Sequence, residues 1–237
     1  MATRADAIAT AREHLHSGDF IAELNRRVGF RTQSQEPLPG DPMRAYLVEG
    51  LAPAFADMGF TTRIVESPVG KGPYLLADYR EDPSLLTVLS YGHGDVVGGM
   101  EGEWRDNLDP WRTTIKGERV YGRGTADNKG QHSINMAALR AVYDARGGKL
   151  GFNAKFIIET SEEIGSPDLA QVCESLHEEL KADLLLASDG PRLSADRPTV
   201  FLGCRGGIRI ALDVNLREGG NHSGNWGGLL ANPATTT

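Results

Sequence analysis

The chain has 237 residues, 40% hydrophobic and 24% charged, enough for one large domain or two small ones with a real core. Its net charge of −7 argues against a nucleic-acid or anionic-membrane surface, since those partners favour basic stripes. No apolar run approaches the ~20 residues of a membrane span, and two cysteines, Cys173 and Cys204, do not make a disulfide framework. The N-terminal stretch "MATRADAIATAREHLHSGDF" has no continuous apolar core of a secretory signal, so a cytoplasmic protein is expected.

In chain order, helices are predicted over Ala5 to His16 and Asp19 to Val28. In "DPMRAYLVEGLAPAFADMGF", Asp41 reads as an N-cap, Pro42 as the first helical residue and Gly59 as a stop. Strand-like runs follow at Thr61–Val65, Tyr74–Tyr79 and Leu85–Ser90. A helix is read in "GQHSINMAALRAVYDARGG", then a strand at Ala154–Glu159, a helix from Pro167 to Lys181 capped by Ser166, and a strand at Asp183–Ala187. This alternation predicts an α/β fold with a mostly parallel sheet flanked by helices. The run "TVFLGCRGGIRIALDVNL" alternates like a half-exposed strand pair.

Chemically loaded stretches sit just past the predicted strands: "GHGD" after the strand ending near Ser90, "ETSEE" after "AKFII", and "SDGP" after "DLLLA". Ligands of open α/β sheets bind beyond the carboxyl ends of the strands, so His93, Asp95, Glu162, Glu163 and Asp189 are expected to converge there. "YGRGTADNKG" adds Asp127, just before a helix. Taken singly, each is ordinary: a His-x-Asp pair in a loop, adjacent glutamates on a solvated turn, an aspartate at a cap. Together they would bury several carboxylates at one sheet end, which calls for positive charge. Lys129 and Arg123 supply part of it; one or two divalent metals supply it better. One imidazole with several carboxylates suits zinc, cobalt or manganese at a catalytic site. Asp95 then orients His93 by taking its other ring N–H, and of the two glutamates one binds metal while its neighbour serves as a base.

At this point the motifs "SYGHGDVV", "VYGRGTADNKG", "IIETSEEIGSPDL", "LLLASDGP" and "NHSGNWGGLLANPA" carry a resemblance. In this order they resemble the zinc metallopeptidase family of acetylornithine deacetylase, succinyl-diaminopimelate desuccinylase, carboxypeptidase G, aminoacylase and the carnosinase-type dipeptidases. The resemblance implies an α/β catalytic domain, residues 1–198, and the start of a smaller α+β lid and dimerisation domain, 199–237. It implies a site with two zinc ions that hydrolyses an amide bond in a dipeptide or N-acyl amino acid, in a homodimer. His93, Asp127 and Asp189 would hold one metal and Glu163 the second, bridged by Asp127. Glu162 would be the general base and Asp95 the residue that orients His93. His222, in "HSG", would stabilise the oxyanion from the lid, often from the other subunit. Family members continue for roughly 150–200 residues more, a further domain's worth of chain. That continuation brings a last histidine ligand, so at most one tightly held metal and negligible turnover are expected of these 237 residues alone.

Nothing is inferred from Asn128. His14, His16, His132 and His177 are expected to be plain surface or interface residues. A non-catalytic metal-binding or scaffolding protein is the rival reading; the extra carboxylate beside a ligand speaks against it. A P-loop is excluded in "GRGTADNKG" because Lys129 is followed by glycine rather than Ser or Thr.

Overall fold

The computed structural model describes residues 3–203, 206–208 and 210–233. The chain divides into two units, Met1–Pro191 and Arg192–Thr237, taken separately below.

The first unit opens with α1 (Arg4–His16) and α2 (Asp19–Val28). Asp41 caps the next helix, its side chain accepting the Arg44 N–H, and Pro42 begins α3 (Pro42–Ala45). That helix runs through a π-helical turn, Tyr46–Leu51, into α4 (Ala52–Ala56). The strands are β1 (Thr61–Val65), β2 (Tyr74–Tyr79), β3 (Thr87–His93), β4 (Thr114–Lys116), β5 (Arg119–Tyr121), β6 (Asn153–Glu159) and β7 (Leu184–Ala187). Between them lie α5 (Lys129–Ala145) and α6 (Leu169–Ser175). After α5 the chain turns through Gly147 (φ 70°) and Gly148 (φ 88°), a left-handed conformation that glycine takes without a Cβ penalty.

The main sheet has the order β1-β2-β6-β3-β7. Only β3–β6 and β3–β7 are parallel; β1–β2 and β2–β6 are antiparallel. The mostly parallel sheet expected from the alternation is therefore a mixed one. The connector 66–73 is too short for a helical crossover, so β2 must return beside β1 in the opposite sense. Where α5 and α6 intervene, the strands they lead to pair parallel with β3 or bring β3 to a parallel neighbour.

Side chains alternate across the sheet. Leu75, Ala77, Ala154, Phe156 and Ile158 face a core with Tyr46, Leu47, Leu51, Phe55 and Met136; Tyr74, Leu76 and Ile157 face Val172 and Leu176 on the other side. This three-layer sandwich directs the carboxyl ends of β3, β6 and β7 to one edge, where the loops with the chemically loaded residues begin.

Two further expectations are corrected. The helix read over Pro167 to Lys181 is only Leu169–Ser175, with Asp168 rather than Ser166 at its N-cap position. The Asp168 carboxylate is taken by the Tyr74 hydroxyl at 2.6 Å and by Ser67, which pins the chain before the helix starts. The strand pair read in "TVFLGCRGGIRIALDVNL" does not form among the described residues. Val200, Leu202, Ile208 and Leu212 are exposed there, and alternation without a partner ladder or a covering face does not hold a strand. Cys204, Arg205 and Arg209 lie outside the described residues. In this second unit the only α-helix among the described residues is α7 (Ser223–Trp226).

Candidate metal centre

His93 is the last residue of β3 rather than a loop residue, and Gly92 and Gly94 on either side of it have a steric purpose. A Cβ on Gly94 would lie 2.6 Å from the Tyr46 ring, and one on Gly92 would lie 2.9 Å from Asn128 Oδ1. The glycines let neighbouring side chains close over the strand, and His93 is left with no solvent exposure.

Its ring is held from one side. Nδ1 lies 3.0 Å from the carbonyl oxygen of Asp95 and 3.3 Å from its carboxylate, so Nδ1–H donates and Nε2 faces outward. Nε2 is 2.9 Å from Asp127 Oδ1, 3.7 Å from Asp189 Oδ2 and 3.9 Å from Glu162 Oε2. One ligand atom from each of His93, Asp127 and Asp189 lies within 4.8 Å of the others. Residues distant in sequence meet because β3, β7 and the start of α5 end at the same sheet edge.

The glutamate pair is set by the backbone. Asp95, also fully buried, accepts the N–H of Glu162 at 3.1 Å and of Glu163 at 3.0 Å. Glu159, at the end of β6, anchors the same turn. Its buried carboxylate accepts the hydroxyls of Tyr91 at 2.6 Å, Ser166 at 2.9 Å and Ser161 at 3.2 Å. Glu162 stands beside His93, whereas Glu163 is outside the tight three-residue group; its carboxylate feels the charge of Asp127.

The electrostatics ask for a cation. Burial works against a charged His93 ring, yet Asp95, Asp189 and Glu162 together raise its pKa to about 9. Burial and mutual repulsion raise the carboxyls of Glu162, Glu163 and Asp189. Among the described residues, no Lys or Arg pairs with Asp127, Glu162, Glu163 or Asp189. Lys129 points away, donating to the Arg27 carbonyl at 3.1 Å and the Phe30 carbonyl at 2.6 Å, and Arg123 lies over Trp104. Neither of the two cations expected to share the compensation pairs directly with these carboxylates, although Lys129 feels the charge of Asp95. One imidazole and two carboxylates are a donor set that fits a catalytic divalent metal with room left for water or substrate.

Two residues passed over in the sequence complete the centre. Asn128 and His132 are both fully buried, so His132 lies in the interior of the chain rather than being the plain surface or interface residue expected. The signal lay in helical spacing: Lys129, His132, Ser133 and Met136 form one buried stripe of α5. His177, by contrast, is exposed beside Glu178. His222 belongs to the second unit, where its Nδ1 accepts the Gly224 N–H at 3.1 Å at the start of α7.

One imidazole and two carboxylates thus meet at the sheet edge as a group able to hold a metal ion. Residues 89–223 match Peptidase family M20/M25/M40, and the chain belongs to that family. It is 31% identical to the Beta-Ala-His dipeptidase of Mus musculus over 92% of this chain and 46% of that protein. It is 34% identical to the cysteinylglycine-S-conjugate dipeptidase of Corynebacterium striatum over 72% of this chain and 34% of that one. The crystal structure of human carnosine dipeptidase 1 superposes with a TM-score of 0.72 at 26% identity, covering 99% of this chain and 51% of that chain. The matched part thus spans between about a third and a half of the length of these dipeptidases. No helix among the described residues is long and apolar enough to cross a membrane.

Proposed function

We propose that the protein is a metal-dependent hydrolase that cleaves the amide bond of dipeptides. The observation that carries this reading is the convergence of Nε2 of His93 on Asp127 at 2.9 Å and Asp189 at 3.7 Å, with Glu162 at 3.9 Å. His93, Asp127 and Asp189 would hold one zinc, and Asp127 and Glu163 would contribute to a second; cobalt or manganese would suit the same donors. Bound there, the metal lowers the pKa of water and polarises the scissile carbonyl.

The chain's own groups do the rest. His93 would offer an unprotonated Nε2 to the metal, its Nδ1–H held by Asp95. Glu162, its carboxyl raised by burial and by Asp189, takes a proton from the attacking water and delivers it to the leaving amine. The oxyanion role of His222 rests on the His222-Ser223-Gly224 motif. Dipeptides are favoured as substrates by the dipeptidase names of the relatives that cover most of this chain. An N-acyl amino acid is the second reading, carried by a 34% match over 102 residues to the acetylornithine deacetylase of Vibrio campbellii. A cytoplasmic homodimer follows from the sparse cysteines and the family resemblance, and sedimentation tests the second part.

The test is a panel of dipeptides and N-acyl amino acids, assayed after chelator treatment and again after adding back zinc, cobalt or manganese. In a chain spanning the full length of its dipeptidase relatives, metal-restored cleavage of dipeptides is expected. Chelator-insensitive activity overturns the metal role, and turnover of N-acyl amino acids alone overturns the substrate class.

A further inference from the structure

Asn128 sits between three elements with every hydrogen-bonding position of its amide filled. Oδ1 accepts the backbone N–H of His93 at 3.2 Å and lies 3.1 Å from His132 Nδ1; Nδ2 donates to the Ser188 carbonyl at 2.6 Å and to Asp189 Oδ1 at 3.2 Å. A carboxamide has two lone pairs on oxygen and two N–H groups, so the set is complete. Its orientation is also determined. The His93 amide can only donate, so the oxygen must face β3; the Ser188 carbonyl can only accept, so the nitrogen must face the loop after β7.

The next link follows from the same logic. With Oδ1 as acceptor, His132 carries its proton on Nδ1, which leaves Nε2 to accept the hydroxyl of Tyr46. Burial, with Arg27, His93 and Lys129 around it, keeps the His132 ring neutral. Tyr46 and His132 have no solvent exposure, and a Cβ on Gly92 would crowd Asn128 and His132 from the strand side. A chain Tyr46–His132–Asn128 therefore ends on two residues of the metal cluster: the backbone of His93 and the carboxylate of Asp189. No other side chain among the described residues hydrogen-bonds to both.

We propose that Asn128 is a positioning residue that sets the spacing of His93 and Asp189, and with it the affinity and geometry of the metal they hold, while His132 and Tyr46 keep its amide in register. The inference rests on the metallohydrolase reading above. Partners of metal ligands typically carry ~10–100-fold in metal affinity, which sets the scale of the effect.

The probe is Co²⁺ added to the chelator-treated protein, read by competition for its affinity and by its visible absorption, with thermal unfolding of the metal-free protein measured alongside. Asn128→Ala should weaken Co²⁺ at least ~10-fold and change the absorption spectrum. His132→Leu, which removes the donor to Oδ1, should weaken it in the same direction. His132→Asn places an amide N–H where Nδ1–H was, and should recover most of that loss even without the Tyr46 contact. A folded Asn128→Ala that binds Co²⁺ like the wild type, with the same spectrum and only a lower unfolding temperature, overturns the proposal in favour of a purely structural role. If Asn128→Ala does not fold, the His132 pair decides: equal affinities for the Leu and Asn variants overturn it. A wild-type protein that takes up no Co²⁺ overturns the metallohydrolase reading and this inference with it, whereas wild-type binding with unaltered variants overturns this inference alone.

Discussion

The carboxylate of Asp95 accepts the backbone N–H of Glu162 at 3.1 Å, tying the end of β3 to the turn after β6. The other oxygen takes the Glu163 N–H at 3.0 Å, and the Asp95 carbonyl holds the His93 ring at 3.0 Å. One buried residue thus sets the imidazole and both glutamates. The carboxylate serves both the turn and the His93 ring, which lies 3.3 Å from it, and the main-chain carbonyl adds a second hold on the ring.

Asp95→Asn keeps the volume but leaves one acceptor oxygen for two backbone donors, so one buried N–H faces an NH₂ group. A loss of ~1–3 kcal/mol in stability is expected from that unsatisfied donor. Metal affinity should fall by ~10–100-fold because the His93 ring and the turn both loosen. Urea unfolding and a metal-competition titration measure the two effects on the same variant. A variant as stable as the wild type would show that the turn does not depend on this carboxylate.

Glu162 and Glu163 should separate by readout. In a chain spanning the full length of its dipeptidase relatives, Glu162→Gln is expected to keep its metal and fold while hydrolysis drops at least ~10²-fold, the scale of general-base catalysis. Glu163→Gln should instead lower the amount or affinity of bound metal. Metal content by elemental analysis beside kcat decides, and the opposite pattern would exchange the two roles.

Gly94→Ala brings a methyl group to 2.6 Å from the ring of Tyr46. The ring has nowhere to go: it is fully buried and its hydroxyl is bonded to His132. Overpacking of this kind costs about 1–3 kcal/mol, measurable as a shift in the denaturation midpoint. Adding Tyr46→Leu to the same chain should return part of the loss, because the side chain that meets the new methyl group is smaller. An undisturbed midpoint in the single variant would mean that β3 shifts freely, contrary to its central place in the sheet.

Glu81 supplies a pH-dependent contribution away from the centre. Its Oε2 accepts the N–H groups of Leu150 at 2.8 Å and Gly151 at 2.9 Å and the Tyr79 hydroxyl at 3.1 Å. These bonds, led by the Gly151 amide, hold its pKa below the ordinary 4.5. A depressed carboxyl binds fewer protons folded than unfolded, so its contribution is present above pH ~4.5 and is lost as the pH falls through the folded value. Glu81→Gln should therefore unfold at a lower temperature than the wild type at pH 7, and the gap should narrow on acidification below pH ~4.5. A gap that stays constant across that range would assign the effect to shape rather than charge.

Several features of this protein were legible in its residues one stretch at a time. Helix starts and stops follow from local chemistry: Asp41 before Pro42, and Gly147 with Gly148 after α5, act on their own backbone neighbours. The side chains that meet at the sheet edge were legible too, because His93 ends a strand, the glutamate pair and Asp189 each follow one, and strand ends gather their loops. Strand direction was decided only in three dimensions. A run such as Tyr74–Tyr79 reads the same in either sense, and the short connector before it fixes the antiparallel return. Charge compensation was likewise a matter of tertiary structure, since Lys129 is near Asp127 in sequence yet its amine turns toward Arg27 and Phe30. The helical spacing of Lys129, His132, Ser133 and Met136 marks His132 as buried, but nothing local marks what it or Asn128 bonds to. A hydrogen bond between groups on β3, α5 and the loop after β7 depends on directions set by packing, and only the assembled sheet brings those donors and acceptors within reach of one amide.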